Sequence, residues 1–369
     1  MKHAVKTLTL LVGAALLTAC GGGAGTGAHD LAAADLLTKD AQVLGGAEAV
    51  TAMQDLYKKA VAAGETKVTV YGPVEADLKP VYAVFAKRFP GIQVVGVPAF
   101  GPALDQKVNS EEASGKRVGD LVHTGTTVID YGVAGKLDVF EPVTAKGMSD
   151  QFADPEKRFF ANQLGGIGFV VNTQKIKVEE APKSWEQLGD PKYKGRIVTA
   201  DPRKPGALVD GIANMMFSAV FDRAGVEKVA ANDPLIVDSS ELAMQAVVSG
   251  QRDIAPGLGF SSYNAAKAKG APVHMVFPFD GPTPMTTTYY GILKGAPNPN
   301  AARLLETWMF TPEAMGLVPQ AGLWGSRPGS PGPTGYPGID QIQVVKKPPF
   351  LESEKNFNAT LDLMKEIFK

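Results

Sequence analysis

The stretch KVTVYGPVEADLKPVYAVFAKRFPGIQVVGV, residues 67–97, contains the pattern that decides the fold. Its apolar run at 67–72 predicts a buried strand, residues 76–89 carry apolar side chains at helical spacing, and 91–97 predict a second strand. A strand, a helix and a strand in this order predict parallel pairing through a right-handed crossover. This segment therefore predicts an α/β fold.

The same alternation continues in both directions from this segment. Further helices are predicted at 50–63, 103–114, 239–250, 299–310 and 352–367, and further strands at 119–123, 195–200, 253–257, 273–278 and 286–293. Residues 322–338 hold ten Pro or Gly in seventeen positions and predict an irregular loop. A chain of 369 residues is long for one core and suits two lobes.

The N-terminus has the pattern of an export signal. A basic start is followed by the apolar run LTLLVGAALL at 8–17 and by Leu17-Thr18-Ala19-Cys20, which resembles the lipobox of bacterial lipoproteins. Residues 1–19 are therefore interpreted as a signal peptide, and Cys20, the only cysteine, as the lipidated residue. The Gly-rich residues 20–49 are predicted to form a flexible tether and linker.

Composition and motifs exclude several classes of function. The formal net charge of −1 leaves no basic excess for nucleic acid. The chain has no Gly-x-Ser-x-Gly, no His-Glu-x-x-His and no P-loop, and no two histidines at metal-ligand spacing. We therefore expect no enzyme activity, no cofactor and no metal site, and we expect a monomer.

Five segments in order resemble one known family, the type II extracellular solute-binding proteins of ABC importers. The resemblance is to the branch that includes ferric-, thiamine-, polyamine- and phosphonate-binding members. The segments are VTVYGPVEADLKPVYAVFAKRFPGIQV (68–94), GDLVHTGTT (119–127), PKSWEQLGDPKYKGRIVTADPRKPGA (182–207), SSELAMQAVVSGQRDIAPG (239–257) and GILKGAPNPNAARLLETWMFTPEAM (291–315). The third is the most specific.

The resemblance implies two lobes, each with a mostly parallel sheet flanked by helices, that close on a solute around a hinge. Lobe 1 is expected to comprise 50–161 and 285–369, and lobe 2 to comprise 168–280. The hinge is expected near 162–167 and 281–284. It also implies a membrane permease as partner and a location in the cell envelope.

Ligands of open parallel sheets bind beyond the carboxyl ends of strands, where helix N-termini offer unpaired N–H groups. The residues expected to line the solute site on this ground are Tyr71, Gly72, Pro73, Thr124, Thr126, Thr127, Arg203, Gly206, Ser261, Ser262, Tyr263 and Thr286. Hydroxyl groups and a guanidinium favour an anionic solute, namely a phosphonate, a phosphate ester or a carboxylate.

Other interpretations stay open from the sequence. Ferric iron is one, although Ser261-Ser262-Tyr263 has a single tyrosine where ferric members of the branch have two. Tyr289 and Tyr290 are adjacent in a predicted strand and should point to opposite faces. A cation held by Asp77, Asp105, Asp201 or Asp280 is another. A cell-surface enzyme or an adhesion lipoprotein is the interpretation from a different class.

Overall fold

The computed structural model describes residues 38–149, 151–278 and 281–369. The helices are α1 (Ala47–Ala62), α2 (Lys79–Arg88), α3 (Gly101–Ser114), α4 (Thr126–Val133), α5 (Ala207–Phe217), α6 (Arg223–Ala231), α7 (Ser240–Val248), α8 (Phe260–Ala268), α9 (Pro299–Met309), α10 (Pro312–Leu317) and α11 (Phe350–Ile367). The strands are β1 (Lys67–Gly72), β2 (Gln93–Pro98), β3 (Leu121–Thr124), β4 (Phe160–Asn172), β5 (Val198–Ala200), β6 (Leu235–Val237), β7 (Ile254–Gly259), β8 (Val273–Val276), β9 (Met285–Ile292) and β10 (Trp324–Gly325).

The opening segment folds as its pattern predicts. Strand β1 pairs in parallel with β2, with Val70 opposite Gly96, and in parallel with β3 on its other side. Helix α2 crosses between β1 and β2 and buries Val81 and Phe85. Burying side chains of this size contributes about 1.5–3 kcal/mol each. The predicted strand–helix–strand unit is confirmed.

Lobe 1 is built on the strand order β2-β1-β3-β9-β4-β10. Its main core lies between this sheet and helices α1, α2 and α9, with Trp308 fully buried against Phe85 at a ring-centroid distance of 5.6 Å. Strand β9 pairs antiparallel with β3. The sheet is therefore parallel in its first three strands and antiparallel where the chain returns from lobe 2.

Strand β4 belongs to both lobes. Its first half pairs antiparallel with β9, and its second half pairs antiparallel with β7 and β8 of lobe 2. All thirteen of its residues are buried. The expected crossing at 162–167 thus lies in a continuous strand. In lobe 2 the predicted parallel pairing is found for β5 with β6, whereas the predicted strands β7 and β8 pair antiparallel with β4.

The last helix, α11, packs on lobe 2, which corrects its expected place in lobe 1 as part of the range 285–369. Helix α11 lies along α5 and α6, and Met364 and Phe368 enter the apolar core of lobe 2 with Trp185 and Phe221. An amphipathic pattern specifies that a helix buries one face but not against which partner. The sequence therefore predicted the helix and misplaced it.

Two other boundaries differ from the sequence prediction. The Pro/Gly-rich segment contains β10, in which Trp324 pairs with Leu164 of β4 and donates from its indole nitrogen to the Pro337 carbonyl at 2.8 Å. The predicted tether 20–49 ends earlier, since Leu44 is buried and Asp40 pairs with Arg88 at 2.9 Å. The signal peptide 1–19 and Cys20 lie outside the described residues. Within the described part of the chain, none of the helices has the length and apolar character to cross a membrane.

Candidate solute site between the lobes

Thr287 of β9 marks the place where elements of both lobes meet. Its side-chain hydroxyl accepts a hydrogen bond from the amine of Lys347, which lies between β10 and α11. Its residue partner across the sheet is Leu164 of the shared strand β4. The junction therefore consists of the two crossing strands and the C-terminal segment.

Lobe 1 brings the start of α4 to this junction. A Cβ atom built on Gly125, the residue that precedes α4, would lie 3.6 Å from the Thr287 carbonyl oxygen. The first N–H groups of a helix have no partner within the helix and carry partial positive charge. The start of α4 therefore presents hydrogen-bond donors beside Thr287.

Lobe 2 brings the first two turns of α5 to the same crossing. A Cβ atom built on Gly211 would lie 3.4 Å from Ile167 of β4 and 3.6 Å from Pro284, which precedes β9. Asp210, in the first turn of α5, acts electrostatically on Lys347 and on Tyr289. The start of α4 and the second turn of α5 thus lie next to the same pair of strands.

A third segment of the chain runs beside the two that were expected to form the hinge, 162–167 and 281–284. Thr283 donates its main-chain N–H to the Gln343 carbonyl at 2.8 Å, and Val345 donates to the Thr283 carbonyl at 3.0 Å. Residues 343–345 therefore form a short parallel pairing with the segment that enters β9. Because Lys347 follows directly, its position depends on this pairing.

The ammonium group of Lys347 is partly buried and forms few hydrogen bonds. Burial lowers the pKa of Lys347, and the carboxylate of Asp210 opposes part of this shift. In the part of the chain that the structure describes, no carboxylate oxygen lies within 4.0 Å of its amine. The contact with Thr287 uses one of its three donors.

The structure brings some of the predicted residues to this junction. Thr124 ends β3 opposite Tyr289 and is buried, Thr126 is exposed in the first turn of α4, and Thr127 is half-buried beside it. Thr286 donates its hydroxyl to the Gly165 carbonyl at 3.2 Å. Gly206 precedes α5 and is exposed, and a Cβ atom built on it would meet no atom within 4 Å, so it does not join the other residues at the junction.

Other predicted residues lie elsewhere. Tyr71 is fully buried in the core of lobe 1, where its hydroxyl donates to Glu111 at 2.6 Å, so it does not form a wall of the cleft. Tyr263 is buried in the core of lobe 2 with its ring 5.4 Å from that of Phe260. Ser262 is exposed in the first turn of α8. The side chain of Ser261 is outside the described part of the chain.

The guanidinium of Arg203 is occupied by an acid of its own loop. Its Nε and Nη2 donate to the two carboxylate oxygens of Asp201 at 2.8 Å and 3.0 Å. Arg203 is exposed, and this bidentate pair lowers the pKa of Asp201. A role for Arg203 in binding an anion would require this pair to open.

Gly72 and Pro73 lie at the carboxyl end of β1, next to a buried polar network that the sequence did not predict. His123 is buried and places Nδ1 2.8 Å from Glu75 and Nε2 3.1 Å from Asn162. A Cβ atom on Gly72 would lie 2.2 Å from the His123 carbonyl oxygen, so the position requires glycine. Pro73 is exposed. His123 is a satisfied core histidine in this arrangement.

The crossing strand β4 also carries buried polar atoms without partners. The Nδ2 atom of Asn162 and both polar side-chain atoms of Gln163 form no hydrogen bond with the described residues. Both residues are fully buried and belong to the predicted hinge 162–167. Buried amide atoms normally form hydrogen bonds. These three atoms are therefore available to bond a water molecule or a solute.

The tyrosine pair of β9 separates as alternation in a strand requires. The Tyr289 ring packs edge to face on Phe159 at 5.4 Å, whereas Tyr290 stacks on His123 at 4.0 Å on the other face of the sheet. The two phenols therefore cannot bind one metal ion together. Among the described residues, no group of three His, Cys, Asp or Glu side chains is arranged to hold a metal ion.

Comparison with known proteins places this geometry in a family. The family model described as bacterial extracellular solute-binding protein matches residues 130–333, more than half of the chain. An uncharacterized protein of Haemophilus influenzae is 29% identical over 209 residues, which make up 53% of this chain and 59% of that protein. The match therefore spans less than two thirds of the relative.

Solved structures share the fold at low sequence identity. Iron-bound HitA of Pseudomonas aeruginosa has a TM-score of 0.63 and 19% identity over 82% of this chain and 99% of its own. The Trichodesmium protein IdiA (FutA), in complex with iron and citrate, has a TM-score of 0.65 and 18% identity over 82% and 99%. AfuA of Actinobacillus pleuropneumoniae, with bound fructose-6-phosphate, has a TM-score of 0.63 and 21% identity over 81% and 98%.

The chain belongs to the bacterial extracellular solute-binding proteins. Its fold is the two-lobed α/β fold of periplasmic binding proteins, as the sequence predicted.

Proposed function

We propose that this protein is the solute-binding lipoprotein of an ABC importer. It captures a small anionic organic solute, such as a phosphonate, a phosphate ester or a carboxylate, between its lobes and delivers it to a membrane permease. The observation that carries the proposal is the extent of the family match, because residues 130–333 include β4, β9 and the whole α/β unit of lobe 2 between them.

The junction supports the anionic character of the solute. The start of α4 lies beside Thr287 of β9, and the second turn of α5 lies against Ile167 of β4 and against Pro284, so helices from both lobes approach the same two strands. An anion held between them would gain hydrogen bonds from both lobes only when the lobes are together, so binding would favour closure. The related fold of AfuA accommodates a sugar phosphate.

Ferric iron is the second candidate, because HitA and IdiA are iron-bound in their structures. An iron site in this chain would have to be built without a Tyr289–Tyr290 pair. Its ligands would have to come from other residues or from an anion bound together with the metal.

A thermal-shift screen of the purified chain tests the proposal. The panel contains phosphonates, phosphate esters, carboxylates, polyamines, thiamine and ferric complexes. A solute present at 100 times its Kd should stabilise the fold by about 2.7 kcal/mol. We expect one of the organic anions to raise the Tm. A shift with ferric complexes alone, together with a tyrosinate absorption band, would contradict the main proposal and support the iron candidate.

The membrane anchor needs its own test. Cys20→Ser removes the thiol that the lipobox resemblance assigns to lipidation. Metabolic labelling with palmitate should label wild type and not Cys20→Ser. Thr18→Ser, next to the same site, is the control and should be labelled like wild type. A Cys20→Ser protein that is labelled like wild type would overturn the lipoprotein assignment.

A further inference from the structure

We infer that Lys347 is the residue that selects an anionic group on the solute, by donating from its amine at the junction of the two lobes. This inference rests on the proposed function and deepens it, because it assigns the charge selection to one side chain. Arg203 is the only cation among the site residues predicted from the sequence. The inference assigns the recognition of negative charge to Lys347 in the C-terminal segment instead.

The cations near the start of α5 are already paired within lobe 2. Arg203 forms its bidentate contact with Asp201, and Lys204 lies 3.0 Å from Asp238 and 3.7 Å from Asp201. An anion would have to compete with these carboxylates for either cation. Neither is therefore suited to be the first partner of a solute.

Lys347 differs from these residues in its surroundings. Its amine contacts a neutral hydroxyl, that of Thr287, and forms no ion pair within 4.0 Å with any residue in the described ranges. Ammonium groups taken out of water lose hydration free energy, which an opposite charge restores. Two donors of the amine remain for a ligand once the Thr287 contact is counted.

The position of Lys347 couples it to both lobes. Its segment is pinned to the chain that enters β9 by the Thr283 and Val345 hydrogen bonds of 2.8 Å and 3.0 Å. Thr287 lies beside Gly125 at the start of α4, and Asp210 belongs to the first turn of α5. The Lys347 amine and the start of α4 therefore both lie beside Thr287, and the Asp210 carboxylate of α5 acts electrostatically on the amine.

Asp210 is the neighbour that limits how strong this site can be. Its carboxylate attracts the Lys347 ammonium and offsets part of the lowering of the Lys347 pKa by burial. It also lies beyond the ion-pair distance, so it leaves the donors of Lys347 unoccupied. An anionic solute would sit closer to the amine than Asp210 does and would form the direct contact that is missing.

The test measures binding of charged solutes and their neutral parents by four forms of the full chain. The probes are phosphate esters, phosphonates and carboxylates with their uncharged counterparts, including fructose 6-phosphate with fructose. The proteins are wild type, Lys347→Met, Lys347→Arg and Lys346→Met. Lys346→Met is the matched control because the neighbouring side chain is exposed. Thermal shift identifies ligands, and calorimetry gives Kd.

We expect wild type to bind at least one charged probe and to discriminate against its neutral parent. Lys347→Met should weaken binding of the charged probe by at least about 10-fold, since truncating one partner of a buried charged contact is costly. It should leave the affinity for the neutral parent within about 2-fold. Lys347→Arg, which keeps the charge, should retain part of the affinity, and Lys346→Met should match wild type.

Three outcomes would overturn the inference. If Lys347→Met binds the charged probe as tightly as wild type, Lys347 is only a structural contact of Thr287, while the proposed function stands. If Lys347→Met weakens charged and neutral probes equally, its effect is on folding or packing and not on charge. If no probe binds wild type, both the inference and the proposed anionic solute fail.

Discussion

Glu306 of α9 is a carboxylic acid with 1% exposure inside lobe 1. Burial raises the pKa of Glu306 well above its usual range, and the nearby Arg303 opposes this shift only in part. The folded protein therefore holds a proton on this group that the unfolded chain releases above its ordinary pKa of about 4.3. Stability contributed by Glu306 is present at low pH and falls as the pH rises above that value.

Glu306→Gln should remove this pH dependence, because the amide resembles the protonated acid. We expect the variant to melt above wild type at pH 8 and to approach it near pH 4. Melting curves across this range measure the effect. Glu352→Gln, an exposed carboxylate on α11, is the control and should follow wild type at every pH. Parallel curves for Glu306→Gln and wild type would contradict the shifted pKa.

Single residues also show which features a sequence pattern predicts and which it does not. The alternation of β9 correctly placed Tyr289 and Tyr290 on opposite faces, because the period of a strand is a local property. No pattern predicted that His123 would meet Glu75 and Asn162, since these residues come together only through the pairing of distant strands. The network could not be predicted because its residues are far apart in the chain, and not because of their residue types.

At the scale of elements, helix α11 carries the largest correction. Met364 has 1% exposure in the core of lobe 2, although the sequence assigned its helix to lobe 1. Removing a buried side chain of this size leaves a cavity and costs about 2–5 kcal/mol. Helices α5 and α6 should lose stability first, because α11 packs on them.

Met364→Ala tests this packing. Urea unfolding should show the destabilisation, and hydrogen exchange should become faster in α5 and α6 while α1 and α9 keep their protection. Lys365→Ala, at an exposed position of the same helix, should change stability by less than about 0.5 kcal/mol. Faster exchange in α1 and α9 instead would place α11 on lobe 1 and support the assignment from sequence.

For the whole molecule, the expected event is closure of the lobes on a solute. Binding at the junction would order the start of α4 in lobe 1 and the start of α5 in lobe 2 together if, as proposed, the solute bridges the two lobes. Hydrogen exchange with and without the solute identified by thermal shift measures this effect. Helix α1, which packs against α9 in the core of lobe 1, is the internal control.

We expect slower exchange at 125–128 and at 206–210 in the presence of solute, and no change in α1. Protection confined to one of the two helix starts would contradict closure around a shared ligand. Uniform protection of the entire chain, α1 included, would indicate general stabilisation rather than ordering of the junction.

The sequence by itself predicted strands β1, β2, β3 and β9, helices α1, α2, α3, α9 and α11, and the family, but not strand β4 or helix α4. These follow from periodicities of two and 3.6 residues and from motifs that are contiguous in the chain. Only the tertiary structure decided which lobe holds α11, that the Pro/Gly-rich segment supplies β10, and that Lys347 meets Thr287 at the hinge. Each of these depends on contacts between segments that are distant in the chain. A local pattern predicts which face of an element is buried, but not which other element covers that face.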